Sequence, residues 1–424
     1  MAIVLLLLII LALFFNLPIA MALAVPSVIF ILIEDTFPLE SFIQTSFDAS
    51  NSFPLLAVPL FILAGEVMSS GGVAQRIIDF AKTLVQSFTG GLGYIAIIAS
   101  LIFGAISGSG TATAAAIGSI MIPIMKESNY KPEYSASIVA SSGSLGAIIP
   151  PSIVFILYGV MANVSIASLF IAGVIPGLLL AVFLGFVNHL ISKKDGYFGG
   201  EKSTFKEFFR QLNKSKFALL TPVVILGGIY AGVFTPTESA TIAIVYCSVI
   251  SVFVYKEISF KDFPKILMNA SITSGGIMII VGISIFFGRI LSLEQIPQIL
   301  SDYIQDVSTS PTVVLFMMTA LLIVVGMFME TVAGLLIFAP ILLPVVNDVG
   351  IDPLHFGIII TVTLAMGLFT PPIGIGAFIT ARIADVPFSY TYKYLFLLVL
   401  TFVLALIILI LFPQISLFLP NLLE

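Results

Sequence analysis

Charge is scarce in this chain. Asp, Glu, Lys and Arg make up 9% of its 424 residues, where a soluble protein carries about a quarter. That shortage excludes a water-solvated globule, because 59% apolar residues and a mean hydropathy of +1.19 leave too little polar surface to cover one. Cysteine is almost absent as well. A single Cys247 excludes an intramolecular disulfide, and its place in an apolar run reads as a packed thiol. The two histidines, His189 and His355, stand at the margins of apolar segments without metal-ligand spacing, which argues against a transition-metal site. No His-Glu-x-x-His, Gly-x-Gly-Asp or nucleotide-phosphate loop occurs, so the chain reads as neither an enzyme nor a nucleotide-driven pump, with no organic cofactor. What remains is long apolar runs, many exceeding the ~20 residues of a spanning helix, without the alternation of an outer-membrane barrel. The fold class is an all-α polytopic membrane protein.

Eleven apolar segments can be drawn: 2–33, 54–70, 92–125, 135–160, 166–191, 216–234, 239–255, 268–293, 312–346, 356–384 and 394–420. The first lacks a positive flank and a cleavage pattern, and reads as a retained span broken near Asn16-Leu17-Pro18. Segments 92–125 and 312–346 are too long for one span and too short for two. Each is interrupted, at Ser107-Gly108-Ser109-Gly110-Thr111 and at Met329-Glu330-Thr331, and each fits a re-entrant helical hairpin.

The basic residues test this reading. With two hairpins, nine crossings and a cytoplasmic N-terminus, 16 of the 17 Lys and Arg residues fall inside. They include Arg76, Lys126, Lys131, the central run Lys193 to Lys216, and Lys265, Arg382 and Lys393; Arg289 is the exception. The outer loops hold Glu34, Asp48, Glu294, Asp306 and Asp352 with no Lys or Arg, which is a strong positive-inside bias. Making either hairpin a full crossing would scatter that pattern. The C-terminus then lies in the periplasm.

The second half echoes the first. Pro123, Pro132, Gly146 and Pro150-Pro151 recur as Pro344, Pro353, Gly367 and Pro371-Pro372, all 221 residues on. Amphipathic stretches at 73–88 and 294–307 recur as arm helices along the membrane surface. Because one arm and hairpin belong to the inside and the other pair to the outside, the halves are inverted repeats. Residues 1–191 form the first half, with hairpin 92–125 and broken helix 135–160. Residues 192–217 form a basic cytoplasmic linker, and 218–424 the second half, with hairpin 312–346 and broken helix 356–384. Inverted repeats around broken helices are the architecture of secondary transporters.

Open backbone at membrane depth is tolerated only when it is buried or lines a cavity, so the four interruptions are the candidate site. The paired prolines force each helix to open. Freed carbonyls and hydroxyls suit sodium as coupling ion, and half-helix N-termini suit an anion. Candidate substrate ligands are Ser107, Ser109, Thr111, Thr113, Ser142, Ser144 and Ser152. Candidate sodium ligands are Ser107, Gly108, Ser144 and Gly146 in the first half, and Gly326, Met329, Thr331, Gly367 and Thr370 in the second. The richer hydroxyl set of the first half favours substrate and ion there, with mainly an ion in the second. Glu66, Arg289 and Glu330 are ionisable residues in apolar segments, and both structural pairing and functional contact remain open for them.

Leu63-Ala64-Gly65-Glu66, Gly108-Ser109-Gly110-Thr111-Ala112-Thr113, Gly146-Ala147-Ile148-Ile149-Pro150-Pro151-Ser152 and Thr370-Pro371-Pro372-Ile373-Gly374 together resemble the large membrane subunit of tripartite ATP-independent periplasmic (TRAP) transporters. The resemblance covers essentially the whole chain. It implies sodium-driven uptake of a carboxylate, such as sialic acid or a C4-dicarboxylate, across the bacterial inner membrane by an elevator-type motion. It also implies a small four-helix membrane subunit and a soluble periplasmic substrate-binding protein. Since the chain begins with its own first span, the small subunit is expected to be separate. A self-sufficient sodium–carboxylate symporter is the alternative.

Overall fold

A computed structural model describes residues 5, 7–9, 11, 12, 15, 17–34 and 38–423. Asn16 and much of the first span's beginning lie outside these residues. From Pro18 the chain enters α1 (Ile19–Glu34), and the stretch drawn as an outer loop contains an unforeseen helix, α2 (Leu39–Ser50). Next come α3 (Ala57–Ser70) and the arm α4 (Val73–Val85). The arm buries Val73, Ala74, Ile77, Ile78 and Ala81, a stripe at helical spacing. Arg76 pins it by stacking 3.8 Å over the Tyr255 ring and pairing with Glu257 at 3.2 Å.

The first expected hairpin is α5 (Gly91–Ser107) and α6 (Gly110–Glu127), and the first broken helix is α7 (Pro132–Gly143) and α8 (Ile153–Ala162). A 3₁₀ turn, Ser144–Ala147, and the Pro150-Pro151 pair separate α7 from α8. Then follow α9 (Ile166–Asp195), α10 (Phe205–Tyr230), α11 (Pro236–Val249) and α12 (Phe263–Leu293). The second arm is α13 (Ile296–Val307), and the second hairpin is α14 (Pro311–Phe328) and α15 (Thr331–Asp348). The second broken helix, α16 (Pro353–Gly367) and α17 (Ile375–Ala384), opens around Pro371-Pro372. The chain ends with α18 (Phe388–Leu411) and α19 (Gln414–Leu423).

Among the described residues, eight helical stretches are long and apolar enough to cross a membrane. Two of these are the arms of the second hairpin, and the other six are spans read from the sequence. Their outer faces are apolar. On α9, Leu178, Val182, Phe186 and Leu190 form an exposed i, i+4 stripe, while Leu180, Leu184 and Ile191 turn inward. A contiguous stripe of that kind belongs against lipid, since a water-facing protein rarely tolerates it.

Two boundaries differ from the sequence reading. The linker drawn over 192–217 shrinks to 196–204, because α9 runs on to Asp195 and α10 starts at Phe205 behind a Thr204 cap. Polar residues can extend a helix beyond the membrane, which an apolar count cannot see. The short linker is anchored: Gly90 N–H donates to the Tyr197 carbonyl at 2.9 Å, and the Tyr197 ring stacks on Tyr130 at 4.0 Å. Nearby, Lys131 pairs with Asp195 at 3.1 Å, and this carboxylate raises the ammonium above its usual range. Segment 394–420 is likewise two helices, divided at Phe412-Pro413 because Pro413 cannot donate to the preceding turn.

The packing order positions the site. Helix α3 lies against α11 and α12, and α12 against α1 and α2, which makes one wall. Facing it, α5 and α6 pack on α7, and α14 packs on α16. The second segments cross over: α17 packs on α6 and α7, while α8 packs on α15. Each broken helix thus sends its second segment to the hairpin of the other half.

Candidate transport site

Hairpin one turns where the left-handed Gly108 (φ +63°) ends α5, and its N–H donates back to the Gly104 carbonyl at 2.9 Å. Ser109 then caps α6 by accepting the Ala112 N–H. The tip is latched to the broken helix, since Ile153 N–H donates to the Gly108 carbonyl at 3.2 Å. Behind it Thr113 Oγ1 donates to the Ser109 carbonyl at 2.8 Å and lies 2.9 Å from Ser107 Oγ. Gly146 closes this oxygen cluster: a Cβ there would lie 2.3 Å from Thr113 Oγ1 and 2.8 Å from the Ser109 carbonyl. Ser107, Ser109, Thr113 and Gly146 therefore meet, and the oxygens they offer are acceptors of the kind a hard monovalent cation takes.

The second hairpin is built differently. Met329 is extended, and Glu330 caps α15 with a carboxylate oxygen accepting the Val332 N–H at 3.0 Å and the Ala333 N–H at 3.4 Å. Thr331 Oγ1 donates to the Leu364 carbonyl at 3.4 Å. In both halves a glycine of the hairpin lies directly on the glycine at the helix break. A Cβ on Gly104 would sit 2.6 Å from Gly146 Cα, and one on Gly367 would sit 2.2 Å from the Gly326 carbonyl oxygen.

A cavity of about 740 Å³ lies between these elements and the wall of α3 and α12. Four helices begin at it: α6, α8, α15 and α17 contribute Gly110, Ile153, Thr331 and Ile375 to its lining. Each N-terminus carries about half a positive charge, which at α15 is already met by the Glu330 carboxylate. Among the described residues the charged side chains of the lining are Glu66 and Glu330, and none is basic.

Of the residues expected from the sequence, Ser107, Gly108, Ser109, Thr111 and Thr331 line this cavity. Ser142, Ser144 and Ser152 do not; their hydroxyls donate to the carbonyls of Ile138, Ser141 and Ala147 at 2.6–2.7 Å and hold the break of the first helix. Thr113, Gly146, Gly326 and Gly367 stand one layer behind the lining, in the hairpin-to-break contacts. Thr370 Oγ1 donates to the Met366 carbonyl at 2.7 Å, and Thr370 borders a separate apolar crevice with Pro371 and Lys393. Met329 packs at the α15 side, in the cluster that includes Phe286 and Ile337. Thr273 of α12 lines the cavity and was not anticipated. A signal existed in Ser271-Ile272-Thr273-Ser274-Gly275-Gly276, a hydroxyl- and glycine-rich run inside an apolar segment.

Interrupted helices converging on a polar cavity, inside a bundle whose outer faces are apolar, define a multi-pass membrane transporter rather than an enzyme. Comparison with known sequences makes this particular: the chain belongs to the family described as tripartite ATP-independent periplasmic transporter, DctM component, which matches residues 5–415. It is 37% identical over 411 residues to the sialic acid TRAP transporter large permease protein SiaM of Vibrio cholerae, covering 97% of this chain and 96% of that one. It is 38% identical over 375 residues to the C4-dicarboxylate TRAP transporter large permease protein DctM of Pseudomonas aeruginosa, covering 88% of each. Its fold is similar to the crystal structure of the Alcanivorax borkumensis YdaH transporter, with a TM-score of 0.63 at 13% identity over 88% of this chain and 89% of that one.

Proposed function

We propose that this chain is the transport subunit of a sodium-driven system that carries a carboxylate-bearing small molecule, such as sialic acid or a C4-dicarboxylate, across the bacterial inner membrane. The observation that supports this best is the convergence of four helix N-termini on a cavity without a basic side chain. Such a cavity attracts a carboxylate through backbone dipoles. With Glu66 and Glu330 also present, it needs cations to balance an anionic guest. The oxygen cluster of Ser107, Ser109 and Thr113 beside Gly146 is where the first sodium would ride as co-substrate, and the Gly326–Gly367 contact with Thr331 is where a second would. Both ions are cargo on this reading, and no other cofactor takes part. A separate small membrane subunit and a periplasmic binding protein complete the system, consistent with the tripartite family.

The cavity extends from the hairpin tips to Ser69, Ser119, Thr273 and Ile379. These lie toward the helix ends that carry Arg76, Lys126, Lys265 and Arg382, with Lys126 Nζ donating to the Ala384 carbonyl at 2.9 Å. By the positive-inside rule that end faces the cytoplasm. The hairpins and broken helices would then slide as one body along the α3–α12 wall, in an elevator motion between inverted halves.

Uptake into proteoliposomes holding this chain and its membrane partner tests the coupling. Labelled sialic acid and succinate should enter only down a sodium gradient and with the binding protein present. Replacing sodium by choline should lower the rate at least about tenfold, since an unbalanced carboxylate costs several kcal/mol to bury. Undiminished uptake in choline sinks the sodium reading, and full uptake without the binding protein favours a self-sufficient symporter.

Orientation is tested by single cysteines introduced into a Cys247→Ala background. Positions 45 and 305 should react with an impermeant maleimide from the periplasm, and position 200 only after the membrane is opened. Reaction of 45 and 305 from opposite sides would contradict the two-hairpin topology.

A further inference from the structure

The two carboxylates of the cavity are not alike. Glu330 belongs to the second hairpin, and its charge is met by the N–H groups that start α15. Glu66 belongs to α3, in the opposite wall. It is half-buried, lines the cavity, and among the described residues no hydrogen bond or ion pair engages its carboxylate. Its neighbour Gly65 packs against hairpin one, where a Cβ would lie 3.3 Å from Ser107 Cα. Glu66 therefore brings an unneutralised negative charge beside the tip. The lining continues past it by one turn to the exposed Ser69, on the way to Arg76.

We infer that Glu66 is a release determinant: its charge opposes the helix dipoles that hold a carboxylate, so that in this conformation the anion is bound weakly and leaves quickly. The inference rests on the carboxylate reading above. The attracting groups, the N-termini of α6, α8 and α17, belong to the first hairpin and the broken helices, whereas that of α15 is already taken by Glu330. The repelling group belongs to the wall they face. Movement of one against the other leaves the attraction in place and takes the repulsion away, so the same site holds its cargo tightly where it is received and loosely where it is given up. Like charges about 10 Å apart at an effective dielectric of about 30 correspond to roughly a sixfold change in affinity.

The test compares wild type, Glu66→Gln and Glu66→Asp, each purified with the membrane partner. Sialic acid and succinate are titrated at saturating sodium by thermal shift, and uptake is then measured in proteoliposomes with the binding protein present. Glu66→Gln should bind about threefold to tenfold more tightly and show a lower maximal uptake rate, with its half-saturating sodium concentration unchanged. Glu66→Asp should restore most of the wild-type behaviour, which a merely structural role for the glutamate length would not do. Unchanged or weaker anion binding by Glu66→Gln overturns the inference. So does a raised sodium requirement, which would make Glu66 a cation ligand. If Glu66→Gln does not purify intact, Glu66→Asp and Glu66→Ser decide: affinity must rise in the uncharged variant alone. A wild type that takes up neither acid with sodium overturns the carboxylate reading and this inference together, whereas active wild type with an indistinguishable Glu66→Gln overturns this inference alone.

Discussion

Alanine at Gly367 is expected to abolish transport and to lower the thermal midpoint of the purified protein. The new Cβ would meet the Gly326 carbonyl oxygen at 2.2 Å and the carbonyl carbon at 2.5 Å, and both are backbone atoms. A flexible side chain could swing away from such a clash, but here a whole hairpin must move. Overpacking costs of about 1–3 kcal/mol are usual where side chains can yield, and this contact should exceed the upper end. Displacing α14 from α16 also disturbs Thr331, whose hydroxyl bonds Leu364 one turn before the break. Gly104→Ala should behave similarly, because its Cβ would press on Gly146 Cα at 2.6 Å. Gly227→Ala on α10 is the control: nothing lies within 4 Å of its Cβ position, so uptake should be normal. Wild-type uptake and melting in Gly367→Ala would show that the hairpin can leave the break without consequence.

Glu330 should separate stability from transport. Removing the side chain in Glu330→Ala deprives Val332 and Ala333 of their acceptor, a loss of helix cap worth about 0.5–2 kcal/mol. Glu330→Gln retains an acceptor oxygen for that cap and discards the charge. Both variants should lose at least about tenfold in uptake, equivalent to roughly 1.4 kcal/mol, but only Glu330→Ala should melt clearly earlier. The comparison is made by thermal melting and initial uptake rates on the same preparations. Equal uptake by Glu330→Gln and wild type would reduce the residue to a cap.

The parts of the fold that were legible beforehand were those with a one-dimensional signature. Apolar length marked the spans, the paired prolines marked both helix breaks, and Ser107-Gly108-Ser109-Gly110 and Met329-Glu330-Thr331 marked the two hairpin turns. The amphipathic arm α4 follows from the spacing of Val73, Ile77 and Ala81. The stretch 294–307 is helical as α13, with Ile296 and Ile304 buried and Ile299 and Tyr303 exposed. Which hydroxyls face the cavity was harder to read. Ser109 and Ser152 look equivalent in sequence, each beginning a half-helix. One lines the cavity while the other donates to Ala147, a choice made by the local path of the backbone. Composition also hid the close glycine pairs. Gly104 and Gly146 are 42 residues apart in the chain, and their contact depends on how α5 is laid across the break. Helix α2 was missed because its Glu40, Gln44, Ser46 and Asp48 resemble an outer loop.

The crossing of α8 onto α15, and of α17 onto α6 and α7, also bears on how the molecule is made. A ribosome delivers α5 to α9 to the membrane long before α15 exists. Until then the part of α8 that packs on α15 has no hairpin to cover it. The Tyr158 hydroxyl waits similarly for the Pro353 carbonyl, which arrives with α16. The N-terminal half is therefore inserted as an unfinished object. Its pocket is completed only when the second hairpin and second broken helix are threaded against it, so maturation of the site is a late, whole-chain event.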